Sequence, residues 1–397
     1  MSDKQNKNLN PGWRRVKFSD LVQLSKARSQ DPLSDGIERY VGLEHLEPGD
    51  LRIRSWGNVA DGVTFTSIFQ PGQVLFGKRR AYQRKVAVAD FSGVCSGDIY
   101  VLETQDSMVL LPDLLPFICQ TDAFFDHAVG TSAGSLSPRT NWMSLADFEF
   151  ALPEVKEQQS AVALLRAAAE HCYALEDLYV STGRMLQALK DSLLRLDGSE
   201  HAKSHQLGDL LLGSPESGCS APPKDAATGY FVLGLAALSR EGYVSGDFKP
   251  VEPTSKMLGA KLSTGDLLIS RSNTVDRVGY VGIFSDNRDD VSFPDTMMRL
   301  RPNPALVRPD FLEALLQTTS AREYLMRIAA GTSASMKKIN RANLLQMRLN
   351  VPGLDAQDSA LGQLRELKKA MAAQKVRSDA AQQLARLVAT STIEGAA

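Results

Sequence analysis

Between Lys78 and Lys85 the sequence reads KRRAYQRK, five positive charges and one tyrosine in eight residues, with no acid between Asp61 and Asp90. Cations at that density suit phosphates, because Lys and Arg neutralise them and release their counterions. Arginine also carries a planar fork that pairs with the O6 and N7 of guanine. Lys78, Arg79 and Arg80 follow an apolar, strand-like run that ends at Phe76-Gly77, so a loop is expected there, continued by Tyr82, Arg84 and Lys85. A second basic stretch runs from Tyr324 to Leu354, where Arg327, Lys337, Lys338, Arg341 and Arg348 are accompanied by no acid.

Other patterns that could carry chemistry are weaker. Gly130-Thr131-Ser132-Ala133-Gly134 fits the GxSxG elbow of serine hydrolases, which requires a strand before it and a helix after it. Here a helical segment precedes and a strand follows, and the second copy, Gly331 to Ser335, lacks the last glycine. His201 and His205 are four apart but lie in the polar linker GSEHAKSH with no third ligand nearby, so no metal site is expected. The four cysteines, Cys95, Cys119, Cys172 and Cys219, form no CxxC pair and are expected as buried thiols in a reducing cytosol. There is no GxxxxGK[ST] phosphate loop, no dinucleotide fingerprint, and only a poor imitation of an adenine-methyltransferase motif at Ala221-Pro222-Pro223-Lys224. The chain is expected to catalyse nothing and to need no cofactor of its own.

The elements that position the basic loops emerge from the rest of the sequence. At 397 residues, 43% hydrophobic and 23% charged, the chain can hold two or three domains. No run approaches the ~18 apolar residues of a membrane span, and the N-terminus MSDKQNKNLNPGW has no secretory core, so a soluble, cytoplasmic protein is expected. The net charge of −1 means that any nucleic-acid affinity is local, carried by basic patches diluted by acidic helices.

The chain is also written twice. FSDLVQL from Phe18 recurs as LGDLLLG from Leu207, and YVGLEHLEPGDLRI from Tyr40 as YFVLGLAALSREGYVSG from Tyr230. QPGQVLFGKRRAYQRKVAV from Gln70 matches STGDLLISRSNTVDRVGYV from Ser263. LLPFICQTDAFFDHAVGTSAG and LADFEFALPEVKEQQSAVALL recur as LEALLQTTSAREYLMRIAAGTSAS and LLQMRLNVPGLDAQDSALGQL, all at offsets of about 189 to 201 residues. Each copy begins with Gly-punctuated strands, passes through a helical stretch and a GTSA loop to a strand ending at Pro153 or Pro352, and closes in a long helix.

In the first long helix Leu165, Ala168, Cys172, Leu175, Tyr179, Thr182, Leu186, Leu189, Leu193 and Leu196 alternate spacings of three and four, a heptad seam. Thr182 and Gly183 are expected to weaken or bend its middle. The second helix carries a thinner seam through Ala360, Leu364, Leu367, Met371, Ala381, Ala385 and Val388. Two unlike readers held by stiff helices could engage two different half-sites of a duplex.

In their order, these repeats, the segments GQVLFGKRRAYQRKVA and GDLLISRSN, the GTSA loop and the helix start Pro153-Glu154-Val155-Lys156-Glu157-Gln158-Gln159 resemble the specificity subunits of type I restriction-modification systems. The resemblance covers nearly the whole chain, Trp13 to Val388. It implies an α+β protein: two repeated α/β target-recognition domains separated by two long antiparallel coiled-coil helices in a pseudo-twofold arrangement. The corresponding boundaries are 1–153, 154–198, 199–352 and 353–397. The implied partners are double-stranded DNA, two methyltransferase subunits docked on the helices, and restriction subunits that can join them. S-adenosylmethionine would sit on the methyltransferase, which methylates adenine. The helix-start residues Glu157, Gln158 and Gln357 become candidates for partner docking. The second start, Pro352-Gly353-Leu354-Asp355-Ala356-Gln357-Asp358, loses the glutamate, so a looser helix start is expected there.

The DNA-contact candidates are therefore Lys78, Arg79, Arg80, Tyr82, Arg84 and Lys85 in the first copy, and Arg271, Ser272, Asn273 and Arg277 at the equivalent loop of the second. The GTSA loops add Thr131, Ser132, Ser135 and Arg139, and Thr332, Ser333, Lys337, Lys338 and Arg341. Small residues there let a backbone approach a phosphate, with hydroxyls and cations beside it. An assembly scaffold that binds only protein remains the alternative, distinguished by whether duplex DNA is bound in a salt-sensitive way.

Overall fold

Alternating strands and turns build two units of the same plan. The computed structural model describes residues 9–194, 202–226, 228–331 and 336–393. The chain divides into one unit of Met1–Glu176 with Val376–Ala397 and another of Asp177–Lys375. Each unit therefore takes a part of both long helices, Val155–Leu194 and Leu354–Ile393, of 40 residues each.

In the first unit, strands Val22–Leu24, Ile99–Thr104, Val74–Gly77 and Val86–Val88 form a four-stranded antiparallel sheet in that order. A second sheet orders Gly57–Asn58, Arg39–Val41, Gly93–Cys95 and Ser67–Phe69, with Arg39–Val41 and Gly93–Cys95 parallel. The second unit repeats the main sheet with Glu216–Ser217, Met297–Leu300, Leu267–Ser270 and Val281–Ile283. The turns before the central strands fall at Gly72 and Gly265, whose φ of 87° and 97° only glycine adopts without strain. In both units a two-stranded ribbon leads into a long helix: Arg14–Lys17 pairs with Glu149–Leu152, and Lys203–Gln206 with Arg348–Val351.

Each core gathers the start of one long helix and a later part of the other. Phe18, Phe76, Phe124, Phe148 and Phe150 pack with Ala161, Val162 and Leu165 of the first helix and Ile393 of the second. In the other unit Phe311, Leu312 and Leu315 pack with Leu186 of the first helix and Leu361 and Leu364 of the second. Within each unit the helices thus run antiparallel, and each buried leucine contributes roughly 2 kcal/mol of apolar transfer. The first helix continues through Thr182 and Gly183, so the expected weakening does not interrupt it. The Thr182 hydroxyl donates to Leu178 O (2.9 Å) and accepts from Gln374 Nε2 (3.1 Å), so the polar seam position is satisfied in place. Gln374 and the buried Ser378 extend the second seam between Met371 and Ala381, where their polarity interrupts the apolar periodicity.

The helix starts correct a second expectation. Gln158 and Gln357 are completely buried. Gln158 donates to Pro153 O and Val109 O (3.0 and 2.8 Å) and accepts from Leu111 N (2.9 Å). Gln357 repeats the set on Pro352 O, Leu306 O and Arg308 N at 2.8, 2.9 and 2.9 Å. Neither glutamine is available to a partner; each clamps its own helix to the preceding strand and loop. The second start is held as firmly as the first despite the missing glutamate, and Arg308 adds a two-pronged ion pair with Asp358. Glu157 is exposed.

All four cysteines are free thiols; Cys95 and Cys119 are buried, whereas Cys172 and Cys219 are only half-buried. Among the described residues no helix is long and apolar enough to cross a membrane, and no cluster of three His, Cys, Asp or Glu side chains could hold a metal.

Candidate nucleic-acid interface

The run Lys78–Lys85 is the loop of a hairpin, between strand Val74–Gly77 and its antiparallel partner Val86–Val88. A 3-10 turn, Ala81–Gln83, forms its apex and leaves Tyr82 exposed. Arg80 and Arg84 flank that turn at φ 54° and 56°, the only non-glycine residues of left-handed backbone among the described residues. The loop following the Asp122–Gly130 helix lies directly against it. Arg80 N donates to Pro138 O (2.7 Å), Thr140 N to Lys78 O (3.0 Å), and Arg79 bridges Arg139. Two segments some 50 residues apart in the sequence are thus one surface.

Most of its cations are held internally. Asp98 accepts from Arg79 Nη1 (3.2 Å) and Arg139 Nε (2.8 Å). Burial raises the Asp98 pKa, but the hydrogen bonds from Arg139 and Arg79 outweigh it and keep the carboxyl below its ordinary range. Arg84 donates to Gln120 O, pairs with Asp122 at 2.6 Å and lies over the Phe125 ring. Lys85 Nζ donates to Leu43 O (2.6 Å). Lys78 lies 4.5 Å above the Tyr100 ring, and burial lowers its pKa. Arg79 Nε and Arg80 Nε both donate to Ser137 Oγ, at 2.9 and 3.2 Å.

Ser132 Oγ donates to Ala128 O (2.7 Å), turning back into the helix, while the nearby His127 Nε2 is held at Ser144 O (2.7 Å). A hydroxyl so engaged, after a helix rather than a strand, is not a nucleophile elbow. Ser135 and Arg139 are exposed.

In the second unit Ser272–Asn273 is a short strand paired with Lys337–Ile339. Both residues are buried: Asn273 Nδ2 points to Ser270 Oγ (3.4 Å), its Oδ1 accepts from Thr274 N, and Ser272 Oγ meets Met336 Sδ. Ser272 and Asn273 therefore cannot read bases as expected, because their polar ends are spent inside the unit. Arg271 is half-buried, and Arg277, Lys338 and Arg341 are exposed. Lys337 Nζ donates to Gly331 O, and Arg341 Nη2 to Ser217 Oγ. Thr332 and Ser333 lie outside the described residues, as does His201.

Asp98 and Ser137, which organise the first surface, are unmarked in the sequence. An isolated Gly97-Asp98 and a serine in a polar loop carry no periodic signal; only their convergence on arginines identifies them.

No family model matches the chain. Over 160 residues it is 28% identical to the type I restriction enzyme EcoDI specificity subunit of Escherichia coli, a match covering 38% of this chain and 33% of that protein. The chain thus spans about a third of the length of this curated relative in the matched segment. Among solved structures, one described under "Structural basis underlying complex assembly and conformational transition of the type I R-M system" superposes with a TM-score of 0.60 at 17% identity, covering 97% of this chain and 98% of the other. The type I restriction-modification S subunit from M. genitalium superposes with a TM-score of 0.53 at 13% identity, covering 98% and 97%. The chain is HsdS-like, with the fold of the type I restriction-modification specificity subunits.

Proposed function

We propose that this chain is the DNA-recognition subunit of a type I restriction-modification complex, reading an asymmetric, two-part target with one half-site per unit. The observation that carries the reading is the joined surface of Lys78–Lys85 and the 131–140 loop. It is matched in the second unit by Arg271–Arg277 beside Lys337–Arg341 on the same strand framework but with different side chains. Equivalent strands carrying loops of different backbone and unlike cations suit two different half-sites. Phosphate contact falls to the lysines and the internally held arginines, which supply charge without a base-matching geometry.

Methyl transfer belongs, in this reading, to methyltransferase subunits that carry S-adenosylmethionine, and the chain itself is not catalytic. Leu164, Leu178 and Met185 on the first long helix and Val376, Leu384 and Leu387 on the second are exposed apolar residues. Leu164, Leu178 and Met185 share one heptad position, a pattern suited to helices of a partner.

Mapping methylated adenines in cells that carry or lack the gene tests the proposal. A two-part motif should be methylated only in cells carrying it. Neutralising Lys78, Arg79 and Arg80 together should then weaken DNA binding by the assembled complex and reduce its salt dependence. An unchanged methylation pattern on deletion, or no salt-sensitive binding to duplex DNA, would leave the protein-only scaffold as the better account.

A further inference from the structure

Resting on the DNA-recognition reading, we propose that Arg80 reads a guanine in the half-site of the first unit, while the other cations of that surface position it.

The arginines there differ in what already occupies them. Arg79 and Arg139 share the Asp98 carboxylate, and Arg84 pairs with Asp122. Arg80 has no carboxylate partner among the described residues. Its side-chain hydrogen bond is Nε to the neutral Ser137 Oγ, which leaves both terminal nitrogens uncommitted. Those two nitrogens form the fork that accommodates guanine O6 and N7.

Two further observations favour a base over a phosphate. Arg80 sits in left-handed backbone at φ 54°, a strained conformation for a bulky residue, and its amide is tied to Pro138 O at 2.7 Å. Arg84 shares that conformation but is spent on Asp122, so the distinction lies in the free fork: a phosphate contact tolerates a swinging point charge, whereas paired hydrogen bonds to a base edge depend on direction. The anchor at Nε restrains the plane of the guanidinium, and the same hydroxyl holds Nε of Arg79, so Ser137 aligns the pair. The second unit has no equivalent: Asn273, which replaces Arg80 in the repeat, is buried and self-satisfied.

The test uses the full chain co-expressed with its partner subunits, comparing wild type, Arg80→Lys and Arg80→Gly. Methylated motifs are mapped in cells, and binding to duplexes with each base pair substituted in turn is measured over a salt series. Arg80→Lys keeps the charge and loses the fork. It should retain the salt slope while preference for guanine at one position of one half-site falls about tenfold or more. Arg80→Gly suits the left-handed backbone, so the loop should stay folded while the same preference is lost. Unchanged base preference in both variants overturns the assignment. So does a uniform loss of affinity for all sequences in Arg80→Lys, which would make Arg80 a phosphate contact. Failure of the wild-type complex to bind DNA selectively would instead refute the DNA-recognition reading, a distinct result.

Discussion

Gln120 and Gln317 occupy the same place in the two units, each just before a threonine that caps the next helix, yet their surroundings differ. Gln317 accepts from the buried Lys190 Nζ at 2.7 Å and donates to Val281 O. Around them Asp191 accepts from Thr319 N and Oγ1, and the buried Glu313 accepts from Ile283 N with Lys368 at 3.6 Å. In the first unit the repeat puts Ala389 in place of Lys190, Ala169 in place of Lys368 and Pro116 in place of Glu313. Gln120 Nε2 is buried there without a partner, and a cavity of about 540 Å³ lined by Gln120, Ala169, Ala385, Arg386 and Ala389 opens beside it. One backbone plan thus supports a charged, filled junction in one unit and an open one in the other. The fold needs the helix pair packed on each unit, but it does not need a particular side chain at that junction.

The glutamine clamps are where the units agree most closely, and breaking them should have the largest effect. Gln158→Ala and Gln357→Ala each remove the side-chain partner of two carbonyls and one amide, one of the three bonds buried and two half-buried, so each should destabilise its own unit by roughly 2–4 kcal/mol. Hydrogen exchange of core amides, resolved by unit, measures this; a large loss in one unit alone would break the equivalence.

The next effect should appear only in the second unit. Burial lowers the Lys190 pKa to about 8, with repulsion from Lys368 and Arg240 opposed by Glu313 and Glu241. Between that value and the ordinary 10.5 the unfolded chain holds a proton that the folded chain does not, so stability rises with pH across this window. The full rise is on the order of 3 kcal/mol. Lys190→Met should abolish it, whereas a rise that persists in the variant would assign it to another group.

A smaller effect is expected in the seam, where Gln374 Oε1 is buried without a partner. Gln374→Leu should change stability by about 1 kcal/mol or less, because it removes an unsatisfied acceptor along with the bond to Thr182. A loss of several kcal/mol in thermal unfolding would show that the Thr182 bond matters more than the orphan atom. Smallest of all, Ala389→Lys should cost the first unit under about 1 kcal/mol, because a side chain can enter the existing cavity. A severe loss would mean that the open junction cannot accept what the filled one contains.

Much of the architecture was legible because the repeat and the heptads are periodic. Leu165, Leu186 and Leu364 lie in the cores where the spacing put them, and the basic residues form a loop after Phe76-Gly77 as the strand-like run before them implied. Polar residues were harder to read. Gln158 and Gln357 looked like docking residues, since a glutamine carries no mark of burial until the carbonyls around it are known. Ser272 and Asn273 looked like readers for the same reason: their type suits base edges, but a short strand turns them inward. Asp98 was invisible as an organiser because its partners come from separate loops.

Each glutamine clamp grips main-chain atoms alone, two carbonyl oxygens and one amide. Such a joint is indifferent to which side chains the adjoining loops carry. The basic surface of either unit can therefore change its side chains while the point at which its helix departs stays constant.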